Sequence, residues 1–181
     1  MDSRFENISH PFEPVCNENS RVLILGTLPS LASRKSQFYY GHPQNRFWPL
    51  LALLFQQEQP GTIDEKICFI LDHQLALWDV VQQCRMIGSA DNTIQEEKVN
   101  PVDRLLDRYP IERIYANGQK AGKLYEKYIE PLTGRPIHIL PSTSPANARF
   151  SLAALAEKWR VVTGFDLSFV PKRGGQTNEQ T

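Results

Sequence analysis

Arg21-Val-Leu-Ile-Leu-Gly26 is a continuous aliphatic run that stops on a glycine. A strand with one wet face alternates apolar and polar residues. A run without alternation suits a strand covered on both faces, as in a parallel sheet. Working outward, three more segments read as strands: Leu75–Val81, Arg113–Gly118 and Ile137–Leu140. Stretches of helical spacing separate or follow them. Residues 46–56 space Phe47, Leu50, Leu51, Leu54 and Phe55 along one side, and Pro49 suits a first helical turn. Residues 63–73, 101–109, 119–129 and 152–162 repeat the pattern. This alternation predicts an α/β fold, a three-layer α/β/α sandwich around a short four-stranded parallel sheet. In such a sheet, ligands bind at the carboxyl ends of the strands.

The remaining segments read as loops. Residues 1–20 are polar and irregular, with Phe5, Ile8 and Phe12 available to pin them to the body. Residues 27–36 hold Pro29 and three serines, and residues 86–97 are polar, with Gly88 to Asn92 at their centre. Pro141-Ser-Thr-Ser-Pro-Ala-Asn-Ala-Arg149 follows the fourth strand directly. Residues 1–170 are expected to form one domain, and the Gly/Gln-rich residues 171–181 a disordered tail. The unusual loops at 27–46, 117–119 and 141–149 all fall at one rim of the sheet. A fourth, around 79–91, can join them.

Composition limits the partners. Twenty basic and twenty acidic residues leave a formal net charge of zero over 181 residues. Bulk attraction to nucleic acid is excluded, but a local basic face is not. No apolar run reaches the ~20 residues that span a bilayer, and the N-terminus lacks a signal-peptide core. Cys16, Cys68 and Cys84 are odd in number and far apart, so neither a disulfide framework nor a four-cysteine metal site is expected. Cys68, inside an apolar run, reads as a core residue. The expectation is a cytoplasmic protein without metal or redox cofactor.

Phe38-Tyr-Tyr-Gly-His-Pro-Gln-Asn-Arg-Phe-Trp48 concentrates five aromatics with a His, an Asn and an Arg. Gly41 and Pro43 mark a loop. Aromatic faces beside hydrogen-bonding side chains suit a pocket for a flat heterocycle, and they equally suit a hydrophobic lid over the core. Other chemistries fit poorly. Gly26-Thr-Leu-Pro-Ser30 has one glycine and a proline, so it is neither a dinucleotide fingerprint nor a P-loop. No Gly-x-Ser-x-Gly elbow is present. His10, His42, His73 and His138 lack ligand spacing. His42 reads as a turn residue, and Phe47 and Trp48 as core. Trp78 and Asp79 are open between pocket and strand-end roles.

Three blocks in order carry a resemblance: Gly26-Thr-Leu-Pro-Ser30, Tyr39-Tyr-Gly-His-Pro-Gln-Asn-Arg-Phe-Trp48 and Leu140-Pro-Ser-Thr-Ser-Pro-Ala-Asn-Ala148. Together they resemble the uracil-DNA glycosylase superfamily, in its hypoxanthine-DNA glycosylase branch, from about Arg21 to Val162. The chain departs from the superfamily at Leu28, where an Asp or Asn is usual; an aliphatic side chain cannot activate water. The resemblance implies that Asn45 takes that role, orienting water through its carbonyl and donating through its amide NH2. Asn45 also suits a helix cap. By the same resemblance, Gly26, Thr27, Leu28, Tyr40 and Asn117 hold the base, with Tyr40 stacking on it; as a bare residue Tyr40 also suits the core. Ser142, Thr143 and Ser144 can donate to phosphate, Arg149 can add charge, and Asn147 can meet the orphaned partner base.

The implied activity is monofunctional hydrolysis of a deaminated base from DNA, hypoxanthine first and uracil second. Enzymes that process abasic sites are the downstream partners, and a monomer is expected. A uracil or mismatch glycosylase and a catalytically silent damage-sensing module are the alternatives.

Overall fold

The computed structural model describes residues 5–87 and 93–164. Its main sheet contains four parallel strands: β2 (Val22–Gly26), β3 (Leu75–Asp79), β6 (Arg113–Asn117) and β7 (His138–Leu140), ordered β3-β2-β6-β7. Every residue of β2 and β3 is buried, as the unbroken apolar runs require. Helices α2 (Phe47–Phe55), α3 (Ile63–Asp72), α4 (Val102–Arg108), α5 (Gln119–Tyr128), α6 (Glu130–Thr133) and α7 (Leu152–Trp159) flank the sheet. Helix α3 packs on β3, α5 on β6 and β7, and α2 on α7. The expected α/β/α sandwich is therefore the observed one, with a short 3₁₀ turn, Arg160–Thr163, extending α7.

Register fixes the rim. Gly26 stands opposite Asp79 across β2 and β3, and Asn117 opposite Leu140 across β6 and β7. The last residues of neighbouring strands thus end at one level. Because β2 sits between β3 and β6, its carboxyl end lies where the chain switches sides of the sheet.

A second, antiparallel sheet is absent from the sequence reading. It is ordered β1-β4-β5, with β1 (Glu6–Ser9), β4 (Val81–Met86) and β5 (Gln95–Val99). Residues 1–20 are therefore not wholly irregular, and the polar loop expected at 86–97 instead contains a strand. Strand β5 reads Gln-Glu-Glu-Lys-Val, a charged edge without the apolar alternation that signals a strand. The expected strand 75–81 breaks at Val80, whose N–H donates to Gly26 O. The loop expected at 27–36 contains α1 (Leu31–Ser36), capped when Ser30 Oγ accepts from Ser33 N–H at 3.2 Å. Cys68 is exposed, not core: α3 buries Phe69 and Ile70 and turns Cys68 outward. Residues 88–92 and the expected tail at 171–181 lie outside the described residues.

Candidate active site

A cavity of about 600 Å³ opens at the carboxyl ends of β3, β2 and β6, within the size range of small-molecule sites. Gly26, Thr27, Leu28, Tyr40, Asn45, Asn117, Ser142, Thr143, Ser144 and Asn147 all line it. The three sequence blocks, distant along the chain, thus converge on one space. Arg149 is exposed and outside the lining. Trp78 faces a separate cleft with Cys16 and Tyr109, because neighbouring strand residues point to opposite faces.

The aromatic loop is held inward. Tyr39 O–H donates to Glu13 O at 2.8 Å, and Trp48 Nε1 donates to Tyr39 O at 3.2 Å. Phe47 and Trp48 are core, as expected. His42 shapes the turn: its Nδ1 accepts from Gln44 N–H and its carbonyl from Asn45 N–H. Tyr40 has φ +54°, a conformation that costs energy for a bulky residue and is concentrated at functional sites. Its ring stacks on fully buried Phe47, with centroids 3.8 Å apart and planes 21° from parallel. The ring remains half-buried at the cavity wall.

Asn45 belongs to a chain of hydrogen bonds. Asn117 Nδ2 donates to Thr143 Oγ1 (2.9 Å), which donates to Asn45 Oδ1 (2.9 Å); Phe47 N–H donates to the same Oδ1 (3.0 Å). Thr143 N–H returns to Asn117 Oδ1 at 2.9 Å. Two consequences differ from expectation. Both lone pairs of the Asn45 carbonyl are occupied, so the amide NH2, without a protein partner among the described residues, is the half left to act. Fully buried Thr143 uses both its hydroxyl and its N–H internally; it is a strut rather than a phosphate donor.

Arg46 fastens the 141–150 loop to the aromatic block. Its backbone N–H and Nε donate to Thr143 O, its Nη2 to Ser144 O (2.7 Å) and Asn147 O (2.9 Å), and its Nη1 to Phe150 O. Asn147 Nδ2 donates to Ser142 O at 2.9 Å, and Trp159 Nε1 to Pro141 O at 2.9 Å. Gly118, at φ +104°, admits this loop: a Cβ there would lie 3.1 Å from Ser142 Cβ. The sequence reading gave Arg46 no role; its signal was a lone basic side chain at the end of an aromatic loop.

The opposite wall holds a pair that the sequence did not join. Asp79 Oδ2 lies 2.8 Å from His10 Nε2, and both side chains are almost fully buried. A carboxylate only accepts, so Nε2–H donates to it; Nδ1 lies 2.9 Å from Phe12 O and 3.2 Å from Phe12 N. Strand β1 explains the meeting: it pairs with β4, and His10 N–H donates to Gln82 O at 2.7 Å, aiming the imidazole at the end of β3. The Tyr40 hydroxyl is buried without a hydrogen-bond partner. Burial and then the Asp79 charge push its phenol far above the ordinary range. The Asn117 amide offsets part of that rise but does not reach hydrogen-bond geometry.

Comparisons with known proteins agree with this geometry. The family model of the uracil DNA glycosylase superfamily matches residues 13–163. The chain belongs to that superfamily. Among relatives, the hypoxanthine DNA glycosylase of Methanosarcina acetivorans is 36% identical over 157 residues, covering 86% of this chain and 98% of its own. That of Methanosarcina barkeri is 35% identical over 150 residues, covering 82% and 93%. The solution NMR structure of a proposed uracil DNA glycosylase from M. acetivorans matches with a TM-score of 0.73 at 36% identity, covering 86% of this chain and 96% of that one. Among the described residues, no helix is long and apolar enough to cross a membrane.

Proposed function

We propose that the chain is a monofunctional DNA glycosylase that removes deaminated bases, hypoxanthine first and uracil second. One observation carries this reading: the Asn45 amide, its carbonyl pinned, presents an unpartnered NH2 to a cavity walled by the Tyr40 ring. The relatives named above act, by their names, on hypoxanthine in DNA.

The reaction breaks the bond between C1′ of the deoxyribose and the base nitrogen. The electron pair leaves with the base, water adds at C1′, and an abasic site and a free base result. Charge builds on the departing base, so a fixed donor aimed at it lowers the barrier. The Asn45 NH2 supplies that donor, and its pinned carbonyl fixes its direction. Leu28 offers no acid or base, so on this reading the placed Asn45 donor takes over the barrier lowering.

A base inside a duplex must first be swung out, at a cost of a few kcal/mol. Ser142, Ser144 and Arg149 hold the flanking backbone, and Asn147 meets the strand opposite. The chain acts as a monomer in the compartment that holds the DNA, and abasic-site enzymes take its product.

Incubation with duplexes containing deoxyinosine or uracil, followed by alkali, tests the reading. Hypoxanthine release supports it; uracil release alone makes the chain a uracil glycosylase; binding without release makes it a damage sensor. Asn45→Ala is expected to slow single-turnover release by ~10²–10³ while DNA affinity holds. Full activity in that variant would remove Asn45 from the mechanism.

A further inference from the structure

The three tryptophans of the chain are not treated alike. Trp48 Nε1 donates to Tyr39 O at 3.2 Å, and Trp159 Nε1 to Pro141 O at 2.9 Å. Trp78 is only 8% exposed, yet its Nε1–H is buried and meets no acceptor. A buried donor without a partner is costly, and native proteins keep such groups where water or a ligand completes them. Trp78 lines a cleft of about 320 Å³ that shares no lining residue with the base cavity. That volume is at the lower end of the range for small-molecule sites.

The fold builds the walls of this cleft. Val15 N–H donates to Leu77 O at 3.0 Å and Leu77 N–H to Val15 O at 2.9 Å, which lays residues 13–16 along β3 as one wall. Helix α4 is the other wall, and its Arg104 and Arg108, one turn apart, both line the cleft. Like charges at that spacing repel. Both side chains are exposed, and among the described residues neither joins an ion pair. Arg108 rests over the Tyr109 ring, its guanidinium carbon 5.3 Å from the centroid, which places the charge without neutralising it. The lining holds one carboxylate, exposed Glu13, against the two guanidiniums. Cys16 adds no charge: burial pushes its thiol up, and the hydrogen bond with Tyr109 offsets only part of that rise. Leu105, Pro14 and Pro101 supply apolar surface beside the indole.

We propose that this cleft is a second binding site, for a small organic oxyanion. Its carboxylate or phosphate head sits between Arg104 and Arg108 and accepts from Trp78 Nε1, and its flat apolar body covers the indole, Leu105 and the two prolines. The head follows from the donors. An indole N–H and a guanidinium only donate, so the ligand must accept, and an oxyanion meets the guanidinium fork in two bonds at once. A neutral acceptor satisfies the indole but leaves the like charges of α4 unrelieved. The body follows from the apolar surface, which a bare inorganic ion leaves uncovered.

The indole N–H signals in a proton–nitrogen correlation spectrum give the test, since Trp78→Phe identifies the one that matters. Phenyl phosphate and benzoate, titrated into the intact chain at constant ionic strength, are expected to move the Trp78 signal along a saturable curve. The signals of Trp48 and Trp159, whose acceptors are internal, stay in place. Inorganic phosphate moves the Trp78 signal with weaker affinity. Arg104→Gln and Arg108→Gln each weaken phenyl phosphate binding by about tenfold, the scale of one hydrogen bond to a charged group. Both arginines are exposed, so the thermal midpoints of these variants stay near wild type and a lost shift is not a lost fold.

A Trp78 signal indifferent to all three anions overturns the assignment, as does binding that survives in the double variant Arg104→Gln/Arg108→Gln. Equal affinity for inorganic and phenyl phosphate also overturns it, because the apolar surface then plays no part. So does a Trp78 signal that moves only with a DNA duplex, which would make the cleft part of the DNA-binding face. None of these readouts depends on base release, so the outcome here and the glycosylase reading stand or fall separately.

Discussion

The two walls of the cavity treat their polar atoms differently. Around Asn45, Thr143 and Asn117, nearly every donor and acceptor is satisfied within the protein. Around Gly26, Tyr40 and Asp79, a buried hydroxyl has no partner, and one carboxylate oxygen has no donor among the described residues. A closed network holds its members in one geometry, which is what a donor aimed at a transition state needs. An open pair is desolvated in advance and gains most from a ligand that completes it. One wall is therefore rigid and internally satisfied and the other open, and each can be disturbed separately.

The largest disturbance is expected at Arg46, which ties the closed wall to the 141–150 loop. Arg46→Ala removes a guanidinium that serves four carbonyls and leaves those of Asn147 and Phe150 without a donor, for a loss of about 2–4 kcal/mol in denaturant unfolding. Arg46→Lys recovers only a fraction, because an ammonium on a flexible stem cannot span the fork of bonds. Base preference is expected to hold in either variant. A change in stability below about 0.5 kcal/mol would show that the loop holds itself.

A smaller effect belongs to Thr143, and it separates strut from DNA contact. Thr143→Val keeps the shape but leaves the Asn117 NH2 and one Asn45 lone pair without a partner, at about 1–3 kcal/mol. Thr143→Ser restores the hydroxyl and most of the stability. For a strut, the salt dependence of DNA binding is the same in Thr143→Val and wild type. A shallower slope would return Thr143 to the phosphate contacts.

The contrast between the walls is also a contrast in legibility. Strands β2 and β6 announce themselves because both faces are covered and the chain stops on glycine, and once they are placed the rim follows. Tyr40 and Asn45 stand out by density, five aromatics and two amides within eleven residues. Asp79 and His10 are silent: each is an ordinary polar residue, and the pairing spans 69 positions. It depends on β1 docking against β4, and neither strand shows a clean apolar alternation. Cys68 misleads for a related reason. Composition marks Ile-Cys-Phe-Ile as core, but helical geometry decides which face each residue takes.

The smallest effect lies away from both walls and calibrates them. Glu65 closes a capping box at the start of α3, its carboxylate accepting from Gly61 N–H at 2.7 Å and Thr62 N–H at 2.9 Å. The Thr62 amide first, and the Gly61 amide next, hold its carboxyl below the ordinary range. A carboxyl depressed by folding adds stability above its unfolded value, and that stability is lost as pH falls through the lower folded value. Thermal midpoints of wild type and Glu65→Gln should therefore differ slightly at neutral pH and converge in acid. Glu65 contributes nothing to the cavity, so hypoxanthine binding and release should be the same in both proteins at every pH where both are folded. A shift in base preference with this exposed cap would mean that stability alone moves recognition, and the separation of the two walls would fail with it.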